Sequence, residues 1–342
     1  MAAYTTIDDS EAYFQTKLYT GNGTAIGSGG LAVTLDGDTD MQPDLIWVKE
    51  RENSVNHQLY DSVRGVTNRM YPDGPYDEDD SDGEGITAFN SDGFTIGQDS
   101  NTNESGEPYV AWCWKESATA GFDLVGYTGN GTDDTDISHN LSAVPHVILV
   151  KRRDGGDGGA WNMYHHKNTS APETDYLVLD TTAATADAAD RWSDEAPTSS
   201  IFTLGTSSDV NDSSDAFISY LWTAKQGFSK FGSYIGNGNA DGTFVYTGFR
   251  PAFVMTKQTD GTDWWVINDT KRNTYNATDL GIYPNATNAE TSDEAWTKDI
   301  LSNGFKHRTT NSGSNGSGNT YIYMAFAEAP FVNSNGVPCN AR

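Results

Sequence analysis

The chain has 342 residues, of which 12% are aromatic and 35 are glycine, and this length suits two or three domains better than one. Its net charge of −27, from 48 acidic and 21 basic residues without a basic stripe, excludes a nucleic-acid-binding protein. No apolar run is long enough for membrane insertion, and no long run of strong helix formers indicates a helical bundle.

A turn sequence occurs three times along the chain. It reads YTGNGT at Tyr19–Thr24, is unchanged at Tyr127–Thr132, and reads YIGNGN at Tyr234–Asn239. The intervals are 127 − 19 = 108 and 234 − 127 = 107 residues. Each run follows a short stretch with alternating apolar residues, which predicts a strand that enters a tight turn. These stretches are Phe14–Leu18, Phe122–Gly126 and Phe228–Gly232.

A proline followed by an apolar run comes next in each repeat. The three runs are Pro43–Lys49, Pro145–Lys151 and Pro251–Lys257. Proline is tolerated at the first residue of a strand, and a continuous apolar run is typical of a strand that is covered on both faces. We therefore predict that each run is the central strand of its repeat.

Each repeat closes on a strongly aromatic strand, at Tyr109–Trp114, Phe217–Trp222 or Tyr321–Phe326. The predicted fold is all-β, with three tandem sandwich-like antiparallel domains of about 108 residues each. The predicted boundaries are an N-terminal arm at 1–13, domain copies at 14–117, 118–226 and 227–330, and a C-terminal tail at 331–342. The joints between copies are short, which favours packed neighbours over flexible beads.

Three stretches of the last repeat resemble an uncharacterised repeated domain of tail-fibre-like and other virion structural proteins of marine tailed phages. They are Phe228–Gly238, Phe244–Met255 and Tyr321–Phe331. The opening stretches Thr5–Phe14 and Asp36–Asp44 are similar to the usual start of such proteins. The resemblance covers nearly the whole chain and implies a virion component exposed on the particle. It carries over no catalytic or binding residue.

The sequence does not present a recognisable set of catalytic groups, so we expect that the protein is not an enzyme. His165 and His166 are the strongest candidates, but neighbouring residues on a strand point to opposite faces. We therefore interpret them as an ordinary strand end or loop. The two cysteines, Cys113 and Cys339, are far apart and do not predict a disulfide framework. No cofactor is expected, with calcium as the one exception considered.

Two acidic stretches are candidate calcium sites. The first contains Asp36, Asp38 and Asp40, and the second contains Asp77, Asp79, Asp80 and Asp82. Calcium takes six to eight oxygen ligands, which closely spaced carboxylates in loops can supply. The alternative is that both stretches are solvated loops of an acidic protein.

Four tyrosines in polar, variable stretches are candidates for contact with a receptor. They are Tyr71, Tyr76, Tyr275 and Tyr283. An aromatic ring can stack on the face of a sugar, and its few rotatable bonds keep the entropic cost of binding low. Most other aromatic residues follow strand patterns and are assigned to the core.

Together with the sequence features, the resemblance implies a phage virion structural protein of a fibre, tail or appendage that recognises a host-surface glycan. Two alternatives are a capsid decoration or cement protein and a glycan-degrading tail spike. Expected partners are other virion proteins, a glycan or protein of the host cell surface, and further copies of the chain, for example in a trimer. Residues 1–13 and 331–342 are expected to dock on a neighbouring subunit. The expected location is the virion surface, after synthesis in the host cytoplasm.

Overall fold

The computed structural model describes residues 3–156 and 158–339. Regular structure in these ranges is almost entirely β, which confirms the all-β prediction. The α-helices of these ranges have about one turn each: α1 Ser100–Asn103, α2 Ala189–Trp192, α3 Ser208–Asn211 and α4 Ser312–Asn315. Short 3-10 helices lie at Ser10–Ala12, Ile26–Ser28, Pro172–Thr174 and Glu294–Trp296. None of these helices is long and apolar enough to cross a membrane.

We call residues 14–117, 118–226 and 227–330 the first, second and third segments. The strands of the first segment are β1 Phe14–Thr20, β2 Leu31–Thr34, β3 Leu45–Glu50, β4 Gln58–Asp61, β5 Asn68–Arg69, β6 Asp79–Asp80, β7 Ile86–Asn90, β8 Gly93–Ile96 and β9 Pro108–Trp114. Those of the second are β10 Phe122–Thr128, β11 Thr135–Ser138, β12 Val147–Arg152, β13 Asn162–His165, β14 Asp175–Val178, β15 Ala186–Asp187, β16 Ile201–Leu204 and β17 Ala216–Trp222. Those of the third are β18 Ser229–Ile235, β19 Phe244–Tyr246, β20 Phe249–Gln258, β21 Val266–Asp269, β22 Leu280–Gly281, β23 Thr291–Ser292, β24 Lys298–Leu301, β25 Gly304–His307 and β26 Thr320–Pro330.

Each segment contains a large antiparallel sheet with the same strand order. The orders are β1-β9-β3-β4, β10-β17-β12-β13 with β14 and β15 added, and β18-β26-β20-β21. The predicted central strand of each segment is therefore an inner strand, next to the closing aromatic strand. A smaller sheet accompanies each large one, with the orders β2-β8-β7, β11-β16 and β19-β25-β24.

The register corrects the sequence alignment at the start of the third segment. Phe14 pairs with Trp114 and Phe122 pairs with Trp222. The residue opposite Phe326 is Ser229, not Phe228. The third opening strand is thus offset by one residue from the stretch that the sequence suggested, and a shift of one residue moves a side chain to the other face of a sheet.

Alternate residues of the large sheets in the first and second segments face two different cores. In the first segment, Ile46 and Val48 pack against the small sheet together with Phe94 of β8. Leu45 and Trp47 point the other way, into a core that contains residues of all three segments. Because apolar side chains cover both faces, the strand is apolar at consecutive positions.

Aromatic rings from different segments meet in this common core. The ring of Phe14 in the first segment lies 5.2 Å from that of Phe326 and 5.8 Å from that of Phe253, both in the third. Trp112 meets Phe253 edge-on at 5.8 Å. The second segment contributes side chains such as Tyr220. The first and second segments therefore have outer cores of their own, whereas the small sheet of the third segment joins the common core through Val245, Ile300 and Phe305.

Equivalent polar side chains link the segments in a closed ring. The donor and acceptor pairs are Trp161 Nε1 to Tyr71 O (2.9 Å), Trp265 Nε1 to Val178 O (3.1 Å) and His57 Nε2 to Tyr283 O (3.0 Å). They connect the second segment to the first, the third to the second, and the first to the third. His57 Nδ1 accepts a hydrogen bond from Trp47 Nε1, which places the proton of the neutral imidazole on Nε2.

A second ring of buried pairs lies near the first. The pairs are Tyr220 Oη to Asp61 Oδ2 (2.7 Å), Trp112 Nε1 to Asp269 Oδ2 (3.1 Å) and His165 Nε2 to Tyr323 O (3.3 Å). Each aspartate also binds an arginine three residues later, at Arg64 or Arg272. His165 ends β13 and is fully buried, in agreement with the expected strand end.

The N-terminal arm packs on the third segment of its own chain. Ile7 belongs to the common core, and Tyr4 Oη donates a hydrogen bond to Gly248 O at 2.8 Å. Asp8 binds Ser334, which joins the arm to the tail. Residues 3–13 and 331–339 thus make contacts within their own chain, and Val337 of the tail is exposed. Docking of residues 1–13 and 331–342 on a neighbouring subunit stays a prediction.

Candidate functional site

An open groove lies on the third segment and extends at one end to the first segment. It consists of two adjoining depressions with volumes of about 370 and 600 Å³. Both are lined by Arg250, Thr274, Tyr275 and Glu328. We call this feature the Tyr275 groove. Its volume lies in the range of sites that bind small molecules.

Tyr275 stands on a loop whose two ends are fixed. At its start, Asp269 Oδ1 accepts hydrogen bonds from the backbone N–H groups of Lys271 (3.1 Å) and Arg272 (2.9 Å). Next to the tyrosine, Asn276 exchanges two hydrogen bonds of 2.8 Å with the backbone of Ile300 in β24. The Tyr275 side chain nevertheless remains 84% exposed. An exposed ring on a restrained loop can contact a ligand without a large loss of conformational entropy.

Most charges in the groove are paired. Arg250 Nε donates to Glu328 Oε2 at 2.8 Å in the middle of the groove. At one end, Asp36 lies 3.5 Å from Lys17 Nζ and 3.3 Å from Lys271 Nζ. Arg250 uses a second N–H group on a backbone carbonyl, and a guanidinium has five, so donors remain for a ligand. This combination of paired charges, spare donors and an aromatic ring suits a neutral ligand rich in hydroxyl groups.

Tyr71 and Tyr76 lie on a loop that contacts the second segment. Their rings pack edge-on at 5.6 Å, and Tyr71 Oη donates to Asp79 Oδ2 at 3.0 Å. Tyr76 is 53% exposed, whereas Tyr71 is half-buried and its carbonyl accepts the hydrogen bond from Trp161. The structure does not bring this pair into the Tyr275 groove. A receptor contact at Tyr71 or Tyr76 stays a prediction.

Tyr283 is not an exposed loop residue, so its choice as a receptor contact is wrong. Its side chain is 7% exposed and packs edge-on against the ring of Trp296. Trp296 Nε1 donates to Tyr283 Oη at 2.8 Å, and Thr291 lies within hydrogen-bond distance of the same hydroxyl. The residues next to Tyr283 in sequence are polar, so the sequence suggested an exposed loop, but the Tyr283 side chain belongs to a small buried cluster.

The acidic stretches do not form the calcium sites considered from the sequence. Asp77 accepts hydrogen bonds from the backbone N–H groups of Gly156 and Gly158. Asp79 binds Arg69, while Asp80 caps a turn through the N–H of Asp82. The carboxylates of Asp77, Asp79 and Asp80 thus bind separate partners and do not converge on one point.

The first acidic stretch is dispersed as well. Asp36 pairs with two lysines, and Asp38 and Asp40 are exposed. Within residues 3–156 and 158–339, no three His, Cys, Asp or Glu side chains are placed to hold a metal ion. The Asp77 stretch joins the first two segments, because its neighbour Glu78 also binds Arg153 of the second segment at 2.8 Å.

The sequence analysis missed Arg250 and Glu328, which form the centre of the groove. Both lie in apolar strands, within the stretches FRPAF and FAEAP. A single charged residue in such a strand indicates that the structure holds a partner for it, because burial of an unpaired charge is unfavourable. Their pairing could not be predicted, since β20 and β26 change register twice between Arg250 and Phe253.

The fold and the groove define an almost entirely β protein of three structurally similar segments around one core, with an open cleft where the third segment meets the first. Residues 9–330 match the family described as Domain of unknown function (DUF7483), so the chain belongs to that family. The match extends across all three segments as one unit. No curated protein matches the chain.

Proposed function

We propose that the protein is a non-enzymatic structural component of a tailed-phage virion that recognises a host-surface glycan through the Tyr275 groove. It belongs to a fibre, tail or other appendage in this proposal. The observation that carries the binding role is the Tyr275 side chain, 84% exposed on a loop held by Asn276 and Asp269.

The chemistry of the groove supports a sugar ligand. A pyranose presents an apolar face, which can lie on the Tyr275 ring, and hydroxyl groups at its rim. Arg250 and Glu328 supply donors and acceptors without a large net charge, since they neutralise each other. The virion assignment rests on the resemblance of the third segment to phage structural proteins.

A binding measurement with surface polysaccharide of the bacterial host tests the proposal. Fluorescently labelled protein is titrated with the polysaccharide, and reducing ends are assayed in parallel. We expect saturable binding without release of reducing ends. Tyr275→Ala should weaken binding about fivefold or more, because the loss of one aromatic stacking contact removes about 1–3 kcal/mol.

Tyr76→Ala is the matched comparison, since Tyr76 is also an exposed loop tyrosine but lies outside the groove. If the glycan binds in the Tyr275 groove, Tyr76→Ala should bind like the unchanged protein. A loss of binding would instead support the separate receptor contact predicted at Tyr76. Loss of binding with Tyr76→Ala and not with Tyr275→Ala would overturn the assignment to the groove. Release of reducing ends would favour a glycan-degrading spike. Immunogold labelling of heads instead of fibres or tails would favour a decoration protein.

A further inference from the structure

A second open cleft lies between the second and third segments. Two adjoining depressions of about 500 and 290 Å³ share Ala224, Lys230 and Tyr246. We call this feature the Lys230 cleft. The chain has 48 acidic residues, yet neither depression is lined by an Asp or Glu in the part of the chain that the structure describes.

Two lysines of this cleft have no carboxylate partner among the described residues. Lys230 Nζ donates to Tyr246 O at 2.7 Å and lies 5.1 Å from the centre of the Tyr246 ring. An ammonium group has three donors, so two remain. Lys167 is exposed at the same cleft. In a protein with a net charge of −27, two unpaired cations in a cleft without acidic side chains favour an anionic ligand.

Two stacked histidines add a neutral donor to the cleft. The rings of His146 and His166 lie 4.1 Å apart. His146 Nδ1 accepts a hydrogen bond from Ala224 N, and His166 Nε2 donates to Phe231 O, both at 2.9 Å. Burial lowers the pKa of His146 to about 4 and also lowers that of His166, so both rings are neutral near neutral pH. The neutral His146 ring therefore carries its proton on Nε2.

An edge strand presents two aromatic rings to the same cleft. Strand β19 is the edge of its sheet, and Phe244 and Tyr246 are on one face of it. They are 44% and 48% exposed, whereas Val245 between them is buried. Both rings line the cleft. They offer an apolar platform beside the two lysines.

We propose that the Lys230 cleft binds an acidic sugar, that is, a pyranose that carries a carboxylate. The carboxylate binds the ammonium groups of Lys167 and Lys230, and the sugar ring packs on Phe244 and Tyr246. The His146 Nε2–H donates to a hydroxyl or carboxylate oxygen. This site is separate from the Tyr275 groove and does not depend on the function proposed there, because its charge selects a different ligand.

Calorimetric titration of the full chain with D-glucuronate tests this inference. D-Glucose lacks the carboxylate and acetate lacks the ring, so each should bind about tenfold or more weakly than glucuronate. Added salt should weaken the binding of glucuronate, since it screens partly exposed charges. Lys230→Met should weaken it about tenfold or more, because a charge-assisted hydrogen bond is lost.

Lys306→Met is the matched control, since Lys306 is on the same segment but pairs with Asp241 outside the cleft. It should leave the affinity for glucuronate unchanged. Tyr246→Phe should retain binding and Tyr246→Ala should lose it, because the ring and not the hydroxyl is required. If Lys230→Met does not fold by circular dichroism, the exposed Lys167→Met provides the same test.

Several outcomes would overturn the inference. They are the absence of glucuronate binding, equal binding of glucose, equal or tighter binding of acetate or of a short glutamate peptide, and an unchanged affinity in folded lysine variants of the cleft.

Discussion

The buried contact between Tyr220 and Asp61 should couple the stability of two segments. Tyr220 Oη in the second segment donates to Asp61 Oδ2 in the first at 2.7 Å, and both side chains are fully buried. A hydrogen bond to a charged group contributes about 1.5–3 kcal/mol. Asp61 also accepts from the backbone N–H groups of Val63 and Arg64, so removal of the tyrosine hydroxyl does not leave it without donors. We therefore expect a coupling energy between Tyr220 and Asp61 near the lower end of this range, about 1.5 kcal/mol.

A double-mutant cycle measures this coupling. The free energy of unfolding in urea is determined for the unchanged protein, Tyr220→Phe, Asp61→Asn and the double variant. The control cycle combines Asp61→Asn with Tyr127→Phe, because Tyr127 donates to Val210 within the second segment. That control should be additive. A Tyr220–Asp61 coupling energy below about 0.5 kcal/mol, which is the usual error of additivity, would refute the reasoning.

Three further predictions follow from buried or engaged groups. Burial is the main cause that lowers the pKa of His165 to about 3. Its Nδ1 accepts a hydrogen bond from Lys167 N, and its Nε2 donates one to Tyr323 O. In the unfolded chain this histidine is protonated below its ordinary pKa of about 6.5, whereas in the folded protein it stays neutral, so its contribution should lower the free energy of unfolding by about 2 kcal/mol between about pH 7 and pH 5. Urea titrations of His165→Asn should show a pH dependence that lacks this loss. Parallel pH profiles for the variant and the unchanged protein would contradict the assignment. Thiol titration of the native protein should label Cys339 and spare Cys113, whose pKa is raised by burial, whereas denatured protein should react at both. Calcium should not raise the melting temperature, because the acidic stretches bind dispersed partners, and a clear rise in a thermal scan would restore a calcium site.

The sequence predicted the features that local chemistry determines. Continuous apolar character identified the inner strands, and glycine with asparagine identified the turns. The turns also depend on a buried asparagine that the sequence analysis missed: Asn103, Asn211 and Asn315 accept hydrogen bonds from Asn22, Asn130 and Asn237 N–H at 2.7, 2.9 and 3.1 Å. An asparagine occurs at the corresponding position of all three segments, and this repetition could have indicated its role from the sequence.

The common core could not be predicted, because an apolar strand face does not reveal what covers it. Leu45 and Ile46 are neighbours with the same chemical character, yet Leu45 faces the other segments and Ile46 faces its own small sheet. The grooves depend on this arrangement, since each lies where two segments meet. Tyr275 was found as an exposed aromatic, but Lys230 and His146 are brought together from different segments and do not form a pattern in sequence.

Scanning calorimetry tests most directly whether the three segments form one cooperative body around a shared core. That claim requires a single unfolding transition whose calorimetric and van't Hoff enthalpies agree, with a ratio of about one. Three resolved transitions, or a ratio of about three, would show that the segments unfold independently and would contradict it.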